Sequence, residues 1–541
     1  MIALFRRKPA WLLWLPLIAV AIFYAPGLGG FWHGDDVPNL HRVFAQTRQG
    51  ILWPETLRLF AEPIPSQGAF YRPMMMLSLA VNYALAGANY GAWYFVNFAV
   101  HLSNTLLVAL IIRRLAERHD GDATIAAPLA ALFFGLCPGI AEGVYWVSAR
   151  ADGWVTMLTL AGLYFWVDRE TVPTSRRAYL LPLLLIFALG FKESAVILPL
   201  QVALLAVVWR GQLSRPQWRS LIASVVITGL YLAWRAYLFG DAWHVYTPVD
   251  GASAAVHSKL WAALLSLGPW WAALGGPMPV LAALYPVGCV VGIVLAALSG
   301  PGPHWRTAMA LAAAGGGLAL ATMFNLGAMS ANGEGGRLWY APVAWIALGC
   351  GVLMSYPKSR PHPLTRARSA TLAAFLFAVL IGGGVLWPHL HAAWRAQDNM
   401  RMMAREVPAW AESHTGLTML LVPDHDGALV AARNAHGVVL EPLQTQPYLH
   451  RVLPTLSSEI AIRQKQFSNG LARQLELVRP RFANADMLAA IATRAEGGWP
   501  PHVACWSKSA QQIVPLQAPP MESSAEVWLA IIHAEWEKCG H

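Results

Sequence analysis

From Trp93 to Ile112 the chain reads WYFVNFAVHLSNTLLVALII, with no charged residue in it. That is the length a helix needs to cross the hydrocarbon of a membrane. It also has too little polar surface for a helix lying on a water-soluble core. Stretches of this kind recur along the chain, and they decide its class. Only 13% of the 541 residues are charged, against about 25% in a soluble domain. The sequence therefore reads as an integral membrane protein, and its 25 tryptophans suit one because their rings favour the membrane interface.

Taken as roughly 17–25 apolar residues each, spans fall near 10–30, 93–112, 123–139, 145–167, 178–191, 194–209, 217–238, 279–298, 306–326, 338–356 and 369–388, about eleven in all. The first has the basic and apolar parts of a signal peptide but no small-x-small cleavage site, so it reads as a retained helix. The net charge of +10 comes from basic connectors, which argues against a nucleic-acid partner. Those connectors carry Arg6, Arg7 and Lys8; Arg113, Arg114 and Arg118; Arg169, Arg176 and Arg177; Arg210, Arg215 and Arg219; and SYPKSRPHPLTRARS. All fall on one side when the N-terminus is cytoplasmic, as the positive-inside rule requires. Keeping them there makes 256–276 an in-plane or re-entrant segment on the outer side. The interrupted stretch 73–90 reads as interfacial.

The outward segments are then 31–92, 139–144, 191–194, 239–278, 327–337 and a tail from about 389. The tail has a different texture. GLTMLLVPDHDGALVAARNAHGVVLEP reads as short strands and turns, and SSAEVWLAIIHAEWEKC as a capped amphipathic helix. The expected architecture is an all-α polytopic membrane domain over 1–388 and a small C-terminal α/β extracytoplasmic domain over 389–541. Of the five cysteines, Cys137, Cys289 and Cys350 lie in apolar spans, whereas Cys505 and Cys539 are a candidate disulfide if the tail meets an oxidising compartment. No cluster has metal-ligand spacing; PDHDG (423–427) lacks the further ligands of a calcium loop and reads as a turn.

Polar groups at membrane depth are costly and need a reason. Sorted by side, the outer face collects Asp35 and Asp36, Arg72, His101, Glu142, Arg150 and Asp152, Lys192 and Glu193, and Arg337. Acids and cations thus arrive in one layer from distant segments. That mixture suits a reaction in which a carboxylate takes a proton while cations hold a phosphate.

FYRPMMMLSLAVNYALAGANYGAWYFVNFAVHLSNTLL (70–107) resembles the bacterial relatives of the transmembrane-and-tetratricopeptide O-mannosyltransferases, within the type-C glycosyltransferase superfamily. Three further segments are similar to theirs in the same order: LFFGLCPGIAEGVYWVSARADGW (132–154), LGFKESAVILPL (189–200) and GRLWYAPVA (336–344). The double acid after the first span also fits the superfamily. Cys137-Pro138 replaces the family's usual His-Pro, Phe191 replaces its Ser, and there are no tetratricopeptide repeats, so acceptor identity does not carry over.

The resemblance implies an inverting transfer of a monosaccharide from a polyprenyl-phosphate carrier to an acceptor hydroxyl on the periplasmic face of a bacterial inner membrane. The acceptor is a protein Ser or Thr, or an envelope glycan or lipid. Asp35 corresponds best to the general base, and Asp36 would orient it or the acceptor. Two close carboxylates also push one pKa upward. Glu142 is expected at the acceptor. Arg72, His101, Arg150, Asp152, Lys192, Glu193, Arg337 and Tyr340 are the candidates around the donor phosphate, with the Gly-rich stretch before Arg337 suited to a clamp. His101 also reads as a packed core residue, and Lys192 as a snorkelling cation. Arg150 and Asp152, two apart on a helix, point some 200° apart and do not simply pair with each other. No cofactor is required beyond the lipid-linked sugar, and a divalent metal is compatible with the layout. Two alternatives stay open: an oligosaccharide ligase or polymerase using a lipid diphosphate, and a lipid-linked sugar transporter.

Overall fold

A computed structural model describes residues 10–32, 36–64, 70–119, 121–167, 176–209, 213–240, 305–321, 336–357, 366–412, 418–421, 429–434, 437–442, 502–507, 510 and 512–517. Among them the chain is predominantly helical. Four helices are long and apolar enough to cross a membrane: Tyr90–Arg118, Arg215–Phe239, Gly336–Met354 and Ala370–Arg395. A fifth crossing results if the pair Ala126–Gly135 and Pro138–Tyr145, bent by 50°, counts as one span. Shorter apolar helices cover Trp14–Gly29, Pro73–Ala86, Arg177–Phe191 and Glu193–Val208. The expected spans at 279–298 and part of 306–326, and the segment 256–276, lie outside the described residues.

The chain divides into two compact units, one of residues 1–28 and 43–391, the other of 29–42 and 392–541. In the first, local chemistry sets where the helices begin. Asn89 caps the Tyr90–Arg118 helix by accepting from the Ala92 amide at 3.1 Å. Just before it, Gly87 takes φ 54°, and its carbonyl accepts from Trp93 Nε1 at 2.8 Å. The Arg215–Phe239 helix opens on a Ser214–Gln217 capping box with proline in its first turn, and closes on Gly240 at φ 75°.

Pairwise contacts fix how the helices run. His101 meets Tyr340, and eleven residues further along each helix a Cβ on Gly351 would meet Ile112, so Tyr340–Met354 runs parallel to Tyr90–Arg118. Asn104 bonds the Gly153 carbonyl and Arg114 the Tyr164 carbonyl, so Arg150–Trp166 runs parallel to them as well. The ends of the first two helices are joined by a small antiparallel ladder, β1 (Gly121–Asp122) on β2 (Tyr356–Pro357). One end of the bundle therefore receives the basic connector Arg113–Arg118 and the start of the one after Met354. The opposite end receives the heads of these helices and the close of Leu180–Phe191. Small residues allow the approach: Gly349 packs on Ala312 and Ala308, where any side chain would collide.

The break at residues 136–137 has a local cause. Pro138 disfavours helical geometry in the residue before it, and Cys137 is extended at φ −69°, ψ 115°. The chain turns there and reaches Glu142 through a short 3-10 turn, Pro138–Ile140. The expected span 123–139 is thus a shorter helix, Ala126–Gly135, followed by a re-aimed segment.

The helix Arg366–Glu412 continues without interruption past residue 388, where hydropathy suggests a boundary. In the second unit, its residues hold the segment after the first apolar helix. Arg401 donates to the Gly29 and Gly30 carbonyls and lies over the Phe31 ring, while the Phe31 amide donates to Gln397 Oε1 at 3.3 Å. The same unit contains a five-stranded sheet in the order β5 (Gly437–Pro442), β4 (Leu429–Asn434), β3 (Thr418–Leu421), β6 (His502–Ser507), β7 (Gln512–Leu516). β3 and β6 are parallel, Thr418 opposite His502, and the other pairs are antiparallel. The expected helix at 523–539, the PDHDG turn, Cys539 and the side chain of Cys505 lie outside the described residues.

Candidate functional site

Three oppositely charged pairs form at the end of the helical unit where the Arg150–Trp166 helix begins. Each joins distant segments. Arg72, just ahead of the Pro73–Ala86 helix, holds Glu193 bidentately at 3.1 and 2.6 Å. Lys192 Nζ lies 2.5 Å from Asp152 Oδ1. Arg337 donates from Nη1 to Glu142 Oε1 at 2.7 Å and from its own amide to Oε2 at 2.8 Å. Its guanidinium also stands 4.4 Å from the centre of the Trp146 ring.

These pairs follow from the backbone around them. Leu180–Phe191 closes against the head of Arg150–Trp166, so the residues after it, Lys192 and Glu193, meet Asp152 and the segment before Pro73. The 142–147 segment is held by the Tyr90–Arg118 helix: Asn97 Nδ2 donates to the Trp146 carbonyl at 2.9 Å, and Tyr90 to the Tyr145 carbonyl at 3.2 Å. That clamp sets Glu142, whose side chain is only 4% exposed, beneath Arg337 at 29%. Glu142, expected at an acceptor, engages Arg337 with both oxygens.

Glu193 opens the apolar segment Glu193–Val208, directly after Lys192. Burial works against its ionisation, but the charge and hydrogen bonds of Arg72, helped by Lys192, win and bring its pKa down to about 2. The pair is held as ions.

The remaining candidates are more fully buried. Arg150 is 1% exposed and donates to Asn82 Oδ1 at 2.6 Å and to the Val147 carbonyl at 3.3 Å, with the Trp93 ring 5.4 Å away. His101 is fully buried. Its Nε2 lies 3.0 Å from the Gly135 carbonyl, which can only accept, so Nδ1 is the acceptor for the Tyr340 hydroxyl 2.6 Å away. Asn104 donates to the same hydroxyl at 3.3 Å. His101 and Tyr340, expected near the donor phosphate, link the Tyr90–Arg118, Tyr340–Met354 and Ala126–Gly135 helices through these contacts.

Asp36, a residue of the second unit, begins the Asp36–Arg48 helix and is 1% exposed. Asp35 lies outside the described residues.

Four partners went unassigned in the sequence: Asn82, Asn97, Asn104 and Trp146. For two a signal existed. Asn97, His101 and Asn104 recur at positions i, i+4 and i+7 of one apolar helix, which puts three polar groups on one face. No protein-family model matches the chain, and no curated protein matches it.

Proposed function

We propose that the chain is a membrane glycosyltransferase that moves one sugar from a polyprenyl-phosphate carrier to an acceptor hydroxyl on the periplasmic face of a bacterial inner membrane. The observation that carries this reading is the convergence of Arg72–Glu193, Lys192–Asp152 and Arg337–Glu142 at a single end of the helical unit. Cations held at partly exposed helix ends are what a departing lipid phosphate requires. The opposite end of the parallel helices carries the basic connectors, which supports assigning the ion-pair end to the outer face.

In this reading Asp35 takes the proton of the acceptor hydroxyl as its oxygen attacks the anomeric carbon, and Asp36 orients the acid or the acceptor. The bond from that carbon to the carrier phosphate breaks, and Arg337, Lys192 and Arg72 receive the developing charge. Glu142, Asp152 and Glu193 keep the cations in position between turnovers. A mobile lipid chain lies along the apolar helices.

The test is mass analysis of envelope proteins and glycolipids from cells carrying wild type, Asp35→Asn, Asp36→Asn or Arg337→Gln at equal protein abundance. Loss of one defined sugar in the Asp35 and Arg337 variants is expected, and it names the product. Unchanged glycan profiles in all three variants would overturn the proposal.

A further inference from the structure

The end of the helical unit opposite the ion pairs holds arginines of two kinds. Some serve the fold. Arg114 lies 3.5 Å over the Tyr164 ring and donates to the Tyr164 and Val167 carbonyls, and Arg118 lies 4.3 Å from the Trp209 ring. Arg177, Arg215 and Arg219 play no such part. All three are exposed, and among the described residues no carboxylate comes within ion-pairing distance of them. The connectors that carry them, 168–177 and 210–219, contain six arginines against two acids, Asp168 and Glu170.

Side chain–backbone bonds bring the three segments together. Trp166 Nε1 donates to the Gln217 carbonyl at 3.2 Å, and Gln217 Nε2 donates back to the Trp166 carbonyl at 2.8 Å. Ser220 Oγ donates to the Ala178 carbonyl at 2.6 Å, and Arg177 and Arg219 directly precede the two residues so joined. The helices Leu180–Phe191 and Arg215–Phe239 therefore start side by side. Just beyond the arginines each exposes apolar side chains: Leu183, Ile186 and Phe187 on one, Ile222, Val225 and Val226 on the other. Arg215, Trp218, Arg219 and Ile222 follow one another at i, i+3, i+4 and i+7, so cation, aromatic and apolar groups share one helical stripe. Trp218 is 42% exposed, and Tyr179, two residues after Arg177, is 39% exposed. Such rings favour the level where headgroups meet hydrocarbon. The positive-inside rule accounts for the side on which the arginines lie, but not for their grouping with exposed aromatics on one seam.

We propose that this seam binds an anionic phospholipid from the leaflet at the basic end, its phosphate on Arg177, Arg215 and Arg219 and its acyl chains along the two apolar faces. Basic clusters between helices attract anionic headgroups, and the excess of arginine over acid in the two connectors supplies the matching charge. Trp218 and Tyr179 lie at the level of the glycerol esters. The lipid ties the starts of both helices to the end of Arg150–Trp166, whose other end carries Asp152. This binding does not depend on the sugar transfer proposed above.

Native mass spectrometry of the full-length protein in detergent measures binding of three probes: phosphatidylglycerol, phosphatidylcholine with the same acyl chains, and inorganic phosphate. Each arginine beside an anionic headgroup is worth about fivefold in affinity. Wild type is expected to bind phosphatidylglycerol at least about tenfold more tightly than phosphatidylcholine, with inorganic phosphate bound far more weakly than phosphatidylglycerol. Arg215→Gln combined with Arg219→Gln should lose about thirtyfold for phosphatidylglycerol alone, and Arg177→Gln about fivefold. Lysine at 215 and 219 should keep most of the affinity. Arg306→Gln is the control, since Arg306 is exposed at the same end beside Thr307, which meets His119, and it should bind lipid as wild type does. Unchanged unfolding in lipid-free detergent certifies each variant's fold, and the single variants decide if the double one is destabilised. Equal binding of the two lipids by wild type overturns the inference. So does wild-type affinity in the folded double variant, or inorganic phosphate bound as tightly as phosphatidylglycerol. A loss in Arg306→Gln as large as in Arg219→Gln would also overturn it, because the attraction would then be spread over the whole basic end.

Discussion

Within the helical unit, charged groups at the helix ends and neutral groups at mid-bundle solve the same problem differently. At the ends, Arg72–Glu193 and Arg337–Glu142 pair full charges and leave some surface open, with Arg337 29% and Glu193 30% exposed. At mid-bundle, His101, Asn104 and Tyr340 are buried to 1% or less and bond one another and backbone carbonyls. A partly open ion pair can exchange its partner for an arriving anion at modest cost. A sealed neutral network cannot, because each lost bond leaves a buried polar atom unmatched. On the proposed function, the first layer is the one suited to handling a substrate and the second to holding the bundle rigid.

The largest effect should come from Arg337→Gln, which removes the cation but leaves the fold's neutral layer intact. Loss of one preorganised charge stabiliser costs about a hundred- to a thousandfold in rate, read in a transfer assay with a polyprenyl-phosphate sugar. A loss below tenfold, with unfolding unchanged, would move Arg337 into the structural layer. Next comes Asp152→Asn. It strands Lys192, 9% exposed, and breaking a buried pair costs about 3–5 kcal/mol. Thermal unfolding in detergent measures it, and Lys192→Met combined with Asp152→Asn should recover most of the loss.

What could be read from the sequence was the periodic part. Apolar length marks the Tyr90–Arg118, Arg215–Phe239 and Tyr340–Met354 helices because a membrane span is a one-dimensional requirement. The residues at helix ends were also legible as a set, since a charge beside an apolar run is rare. Their partners were not. Arg72 finds Glu193 across 121 positions, and Arg337 finds Glu142 across 195, by helix crossings that no local pattern encodes. The helix past residue 388 was hidden for another reason. Pro388 and falling hydropathy look like a stop, yet Ala, Arg, Gln and Met after it are good helix formers and carry the helix on to Gln397 and Arg401. Those two residues hold the chain just ahead of the paired aspartates, an arrangement with no motif of its own.

A smaller effect, on stability rather than rate, should follow Tyr340→Phe. The exchange keeps the ring and leaves His101 Nδ1 without its donor, which costs about 1–3 kcal/mol. If the neutral layer only braces, this variant unfolds at lower temperature but transfers sugar at the wild-type rate per folded molecule. A changed rate at unchanged stability would bring Tyr340 back to the donor site.

The smallest effect sharpens the charged layer through pH. The ordinary carboxylate value of 4.5 falls to about 2 for Glu193 in the folded chain. A lowered folded value means the unfolded chain binds the proton more readily, so the ionised pair stabilises fully above about pH 4.5. That contribution fades as pH drops from there through about 2. Thermal unfolding in detergent along this acid limb should show wild type losing its advantage over Glu193→Gln, the two curves converging at the acid end. Parallel curves down to the lowest pH would mean that Arg72 does not hold Glu193 as an ion, and the end of the bundle would lose one of its three charged pairs.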